Sequence, residues 1–254
     1  MALSRLLLLP ALALGLALGT SASAADGELA PGQTEYEKAR VVADLLQRYH
    51  YRDPASDEAL MEAATKAYLQ QLDHGRFFLL EADVERFRER MVQLDPGAGD
   101  AALEAAYDLH ARYRERVRDQ IAFALDLLED GFKPSVEGRY QQDRTEVDWA
   151  DDEAALDARW RRRVTHDALT LELAGREEAE IRDNLKRRYE TLRERAVEAE
   201  NEDIMDQFLT AWAHAYDPHS AFLSPQRSKE FDMQMSLQLE GIGAKLTMEQ
   251  DFTE

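Results

Sequence analysis

The sequence predicts a mainly α protein: an irregular helical bundle followed by the first strands of an incomplete second domain. Three observations carry this prediction. Apolar residues recur every three or four positions in successive segments between residues 34 and 216. Turn chemistry such as Asp95-Pro96-Gly97 separates those segments, and beyond Met235 the period shifts toward alternation around Gly241 and Gly243. No repeat at a solenoid period is evident, which favours an irregular bundle over a repeat array.

The chain opens with an export pattern. Residues 1–24 combine a single positive charge at Arg5, an apolar stretch from Leu6 to Gly19, and a small-x-small site at Ala22-Ser23-Ala24. This reads as a removable signal peptide cleaved after Ala24, because a membrane-spanning helix needs about 20 apolar residues and Pro10 interrupts a shorter run. The expected location is the periplasm. Residues 25–33, small and polar, are a leader.

The bundle is expected over 34–234. Thr34 with Glu37 reads as the capping box of a first helix, whose seam is Tyr36, Ala39, Ala43, Leu46 and Tyr49. Asp53-Pro54 reads as the cap of a second helix, ending near Asp73 and Gly75. A third spans about 81–94. Leu103 through Leu128 keep helical spacing up to Gly131 and predict a long helix, the spine of the bundle. Residues 131–149 lose the period and read as a loop or short hairpin. Helical pattern returns over 152–173 and 176–199, the latter with Ile181, Leu185, Tyr189, Leu192 and Ala196 as its seam. A last bundle helix holds Phe208 and Trp212, both expected in the core. Tyr216-Asp217-Pro218-His219 is a turn, and Ser224-Pro225 starts a short helix. Residues 235–254 read as the opening of a β-containing domain whose remainder is missing from this sequence, since two strands and a short helix cannot bury a core.

Composition limits the chemistry. Without residues 1–24 the chain keeps 30 basic and 51 acidic residues, a net charge of −21. Such a surface repels phosphate, so nucleic acid is not an expected partner. The chain has no cysteine, which excludes disulfides and thiol catalysis. No metal or cofactor is expected: the six histidines show no metal-ligand spacing, and His110, on the seam of the long helix, reads as a hydrogen-bonded core residue. Asp151-Asp152-Glu153 reads as a solvated helix start. No G-x-S-x-G, S-x-x-K or Walker loop occurs, and Ser224 is better explained as a helix cap than as a nucleophile. Gly241-Ile242-Gly243-Ala244 has two readings, a strand bulge or a backbone nest that accepts a peptide carboxylate.

Three blocks point to a family. They are Leu72-Asp73-His74-Gly75-Arg76-Phe77-Phe78-Leu79; the segment 156–189 with Trp160-Arg161-Arg162-Arg163-Val164 and Glu180-Ile181-Arg182; and Asp217-Pro218-His219-Ser220 through Leu223-Ser224-Pro225 to Glu240-Gly241-Ile242-Gly243-Ala244. Together, from about residue 35 to the end, they resemble the tail-specific proteases, periplasmic carboxy-terminal processing serine peptidases. The resemblance implies a helical N-terminal domain, then a PDZ domain beginning at 235–254, then a peptidase core. Its Ser-Lys dyad would lie beyond the PDZ domain, so no residue here is expected to be catalytic. Gly241, Ile242, Gly243 and Ala244 would match the loop that takes the substrate carboxylate. The implied partners are protein substrates with apolar C-termini and a helical-repeat lipoprotein adaptor docked on the helical domain. The function implied is a scaffold and docking part of such an endopeptidase. A stand-alone helical binding module is the alternative.

Overall fold

The computed structural model describes residues 29–129 and 139–236, and the backbone of two short strands at 248–249 and 252–253. Eight helices are found among the described residues: α1 (Gln33–Tyr49), α2 (Asp57–Leu72), α3 (Glu81–Val92), α4 (Gly99–Glu129), α5 (Glu153–Leu173), α6 (Glu178–Val197), α7 (Asn201–Tyr216) and α8 (Pro225–Ser236). The chain is mainly helical, as the apolar period predicts.

The helix starts show where local chemistry was misread. Gly32, not Thr34, caps α1, with the Glu35 carboxylate accepting its N–H at 3.0 Å. Ser56, not Asp53, caps α2, its hydroxyl accepting from the N–H of Ala59 at 3.1 Å. In both cases several polar residues lie within one turn, and only the tertiary packing of the helix selects among them. The acidic start of α5 is as expected: Asp152 accepts from the N–H of Ala155 at 2.7 Å.

At 31 residues, α4 is a rod of roughly 46 Å. It is the spine, but it serves two apolar clusters instead of one. The first is built by α1, α2, α3, α7 and the N-terminal half of α4, and holds Tyr68, Phe87, Tyr107, Phe208 and Trp212. The second is built by α5, α6 and the C-terminal half of α4, and holds Val117, Ile121, Trp160, Leu185 and Tyr189 with Phe77, Phe78 and Leu80 from the α2–α3 connection. Tyr113, part-buried, packs against both. Within the first cluster Gly99 sets the approach of α1 to α4, since a Cβ there would lie 2.6 Å from the carbonyl oxygen of Ala39.

Two seams are narrower than predicted. On α1 only Ala39 and Ala43 are buried, and Tyr49 is 75% exposed. On α6 only Leu185 and Tyr189 are fully covered, with Ile181, Leu192 and Ala196 packed at the margin. α8 buries none of its residues and reaches Ser236, so Met235 is helical and not the first strand residue. Met248–Glu249 pairs antiparallel with Phe252–Thr253.

Candidate functional site

The residues of two of the three sequence blocks meet at one junction. Asp73, at the C-terminal cap of α2, is buried, and its carboxylate accepts the backbone N–H groups of Phe77, Phe78 and Leu79, each at 2.9 Å. One side chain therefore closes the loop between α2 and α3 upon itself. Burial pushes the Asp73 carboxyl up, while the three N–H donors and the nearby Arg159 act in the opposite direction.

Within that loop the glycine and its neighbour have separate roles. Arg76, not Gly75, takes the left-handed conformation, with φ of 51°. This costs about 1–2 kcal/mol for a residue with a Cβ, and the Arg76 guanidinium holds it there by donating to the carbonyls of Val147 and Thr145 and lying 5.0 Å from the Trp149 ring. Gly75 is needed for space, because a Cβ there would come 2.5 Å from the Phe77 ring.

The other side of the junction comes from α5 and from residues 139–150. Trp160 Nε1 donates to the Phe77 carbonyl at 2.5 Å, and its ring meets Phe77 and Phe78 at 5.8 and 5.4 Å. Arg159 donates to the carbonyls of Arg76 and Asp148, and Arg144 to that of Gly75 at 2.8 Å. Arg144 and Arg163 both lie over the Phe77 ring, at 4.8 and 4.3 Å. A single parallel bridge joins Leu80 to Ala150. Burial, and then repulsion from Arg144, pulls Arg159 down to about 10. These arginines thus hold backbone carbonyls and aromatic faces, a use of guanidinium that the formal charge count does not register.

A cleft of about 290 Å³ opens beside the loop, lined by Lys66, His74, Arg76, Arg88, Glu62 and Glu146 among others. Its two hydroxyls are already engaged: Thr65 donates to the carbonyl of Met61 and Thr145 to Asp143, each at 2.7 Å. The cleft therefore offers charge and shape without an activated nucleophile.

The described part of the third block begins at the C-terminal cap of α7. Asp217 accepts from the Tyr51 hydroxyl at 2.7 Å and from the His219 N–H at 2.9 Å, and Arg52 lies 3.3 Å away. The Tyr51 and His219 donors hold its carboxyl below the usual carboxylate range. Ser220 Oγ sits 3.0 Å from His50 Nε2, the spacing of a nucleophile and its base. His50 Nδ1 lies 3.1 Å from the Arg52 nitrogen and 3.3 Å from the Arg52 carbonyl oxygen, so its other partner is the Arg52 backbone and not an orienting carboxylate. Nothing in the apolar periodicity signalled this pair, whose members are 170 residues apart.

Ser224 is buried and its hydroxyl donates to Asp206. Its carbonyl starts α8 by accepting from Ser228 at 2.8 Å, so the residue begins the helix as expected, although its side chain faces the bundle. His110 is buried and neutral, lowered to about 4 by burial and by Arg114, but its Nδ1 lacks the hydrogen bond expected of a core histidine. Among the described residues no group of three or more His, Cys, Asp or Glu is arranged to hold a metal, and no helix is long and apolar enough to cross a membrane. Ala24 and the carboxylate loop Gly241, Ile242, Gly243 and Ala244 lie outside the described residues.

Comparison with known proteins adds the family. The family model of the tail specific protease N-terminal domain matches residues 41–226. The chain is 31% identical over 209 residues to the Tail-specific protease of Haemophilus influenzae (strain ATCC 51907 / DSM 11121 / KW20 / Rd). That match covers 81% of this chain and 30% of the relative, so the chain spans less than a third of the length of the relative it matches. Both the Asp73 junction and the Asp217 turn fall inside the family match, and the chain belongs to the tail-specific protease family through its N-terminal domain.

Proposed function

We propose that this domain serves as a scaffold and docking part of a periplasmic serine endopeptidase that processes proteins from their C-termini, without cutting them itself. The observation that carries this reading is the Asp73 junction. Buried side chains there are spent on backbone groups, as in a clamp that fixes the angle between two helical cores. In the nearest approach to a nucleophile pair, Ser220 with His50, the imidazole Nδ1 faces the Arg52 backbone and not an orienting carboxylate. In this reading residues 1–24 are removed on export after Ala24, Gly241–Ala244 receive the carboxylate of an apolar C-terminus in a PDZ domain, and a helical-repeat lipoprotein adaptor docks on the bundle.

The test is direct. The mature chain and a full-length relative are each incubated with a reporter protein carrying an apolar C-terminal tail, and products are followed by mass spectrometry. The relative is expected to shorten the reporter and this chain to leave it intact. Specific processing by this chain that disappears in Ser220→Ala or Ser224→Ala would overturn the scaffold reading. Intact-mass measurement of the exported protein, expected to begin at Ala25, tests the signal peptide separately.

A further inference from the structure

On α1 and α4, Arg40 and Arg116 carry their own counter-ions. Arg40 meets Asp100 at 2.6 Å, and Arg116 meets Asp83 at 3.2 Å and Glu153 at 2.8 Å. The junction of α5 with residues 139–150 is different. Arg144, Arg159, Arg162 and Arg163 gather there, and none of the four makes an ion pair among the described residues. Arg144 and Arg163 lie 4.8 and 4.3 Å from the centre of the same Phe77 ring, and Arg163 lies 4.6 Å from that of Trp160.

The acids in reach are spent on other partners. Asp73, the carboxylate that acts on both Arg144 and Arg159, uses its two oxygens on the N–H groups of Phe77, Phe78 and Leu79. Asp167 is taken by Arg188 at 3.6 Å and by the Tyr189 hydroxyl at 2.9 Å, and Asp143 by the N–H and hydroxyl of Thr145. Exposed Glu146 and Asp148 pair with none of the four arginines. The crowding has a cost: burial pulls the Arg144 guanidinium below its ordinary range, and Arg162 and Arg163 push it down further against Tyr140 and Asp73.

The N–H donors are unevenly used. Arg159 gives both Nη groups to the carbonyls of Arg76 and Asp148, whereas Arg144 gives its Nε to the carbonyl of Gly75 and keeps its Nη groups. Part-buried Arg163 and exposed Arg162 donate no hydrogen bond among the described residues. Each carries five N–H donors.

We propose that Arg144, Arg162 and Arg163 form a binding site for a phosphate group, either inorganic phosphate or a small phosphate monoester. The planar guanidinium fork matches phosphate oxygens, and a dianion offsets a surplus of three cations better than a single carboxylate does. The rest of a chain of net charge −20 repels an extended polyanion but leaves a small one free to approach. A phosphate held there joins α5 to residues 139–150 and relieves the repulsion within the second cluster.

The test is isothermal titration calorimetry of inorganic phosphate into the purified mature chain, with ionic strength held constant by sodium chloride. Saturable binding is expected, with a thermal midpoint that rises as phosphate is added. Affinity should fall about tenfold or more, equivalent to about 1.4 kcal/mol, in Arg162→Gln and in Arg163→Gln, and stay unchanged in Arg182→Gln on the outer face of α6. Arg162 is exposed and holds no other group, so Arg162→Gln should keep the parent's thermal midpoint in the absence of phosphate. Glycerol 3-phosphate separates the two sources: affinity at or above that of inorganic phosphate supports a monoester, and lower affinity supports free phosphate. Absence of saturable binding, parental affinity in both Arg162→Gln and Arg163→Gln, an equal loss in Arg182→Gln, or equal binding of acetate would each overturn the proposal.

Discussion

The two apolar clusters that share α4 are closed by different means. In the first, helices bring aliphatic and aromatic side chains together at helical spacing, and Trp212, 1% exposed, has no hydrogen-bond partner at its Nε1. In the second, an equally buried tryptophan, Trp160, donates to a loop carbonyl, and arginines complete the packing from outside. The first cluster is a helix-to-helix core. The second depends on a loop, 72–80, that must be shaped before anything can pack on it. A core of the first kind tolerates change wherever volume is kept, whereas one of the second kind also requires particular atoms at particular places.

The largest effects should come from emptying either core. Trp160→Ala and Trp212→Ala are each expected to destabilise the domain by roughly 3–5 kcal/mol in urea unfolding. If Trp212→Ala costs less than about 1 kcal/mol, the first cluster is not the core described here.

A pH test isolates the spine. His110, on the part of α4 that belongs to the first cluster, has a folded value of about 4 against an ordinary 6.5, through burial and then Arg114. The unfolded chain therefore binds the proton more readily, and the stability gained from neutral His110 is fully present above about pH 6.5 and is lost as pH falls toward 4. The contribution is up to about 3 kcal/mol. His110→Phe should flatten the stability profile across that window, and an unchanged slope would show that His110 is solvated.

A milder substitution sharpens the contrast. Trp160→Phe strands the Phe77 carbonyl and is expected to cost about 1–3 kcal/mol beyond the volume change, whereas Trp212→Phe loses no hydrogen bond and should cost less than about 1.5 kcal/mol. Equal losses in the two variants would remove the distinction between the clusters.

The smallest effect is expected on the outer face of α6. Arg182 pairs with Glu178 at 3.4 Å in full view of solvent, and Arg182→Ala should change stability by less than about 0.5 kcal/mol. A larger loss would mean that α6 is held by its surface charges and not by Leu185 and Tyr189.

Apolar period alone was enough to find seven of the helices, the long spine among them, because a helix that buries one face must repeat its apolar residues every 3.6 positions. It also placed Phe208 and Trp212 in the core, and Asp152 at the head of α5. Local polar chemistry was less informative. Thr34 and Asp53 looked like caps, yet Gly32 and Ser56 do that work, since the start of a helix is chosen by where its packed face begins. Tyr49 fits the α1 period but stands in solvent, because the helix outruns the surface it packs on. The clamp at Asp73 is legible only as a block of residues resembling a family, and its mechanism is not in the sequence at all. The partners of Asp73, Arg76, Arg144 and Arg159 are backbone N–H and C=O groups, which every residue carries and no sequence pattern marks. Periodicity reports what a side chain avoids, namely water. Which atom it meets on the other side is decided only when distant segments such as 72–80 and 139–160 fold against each other.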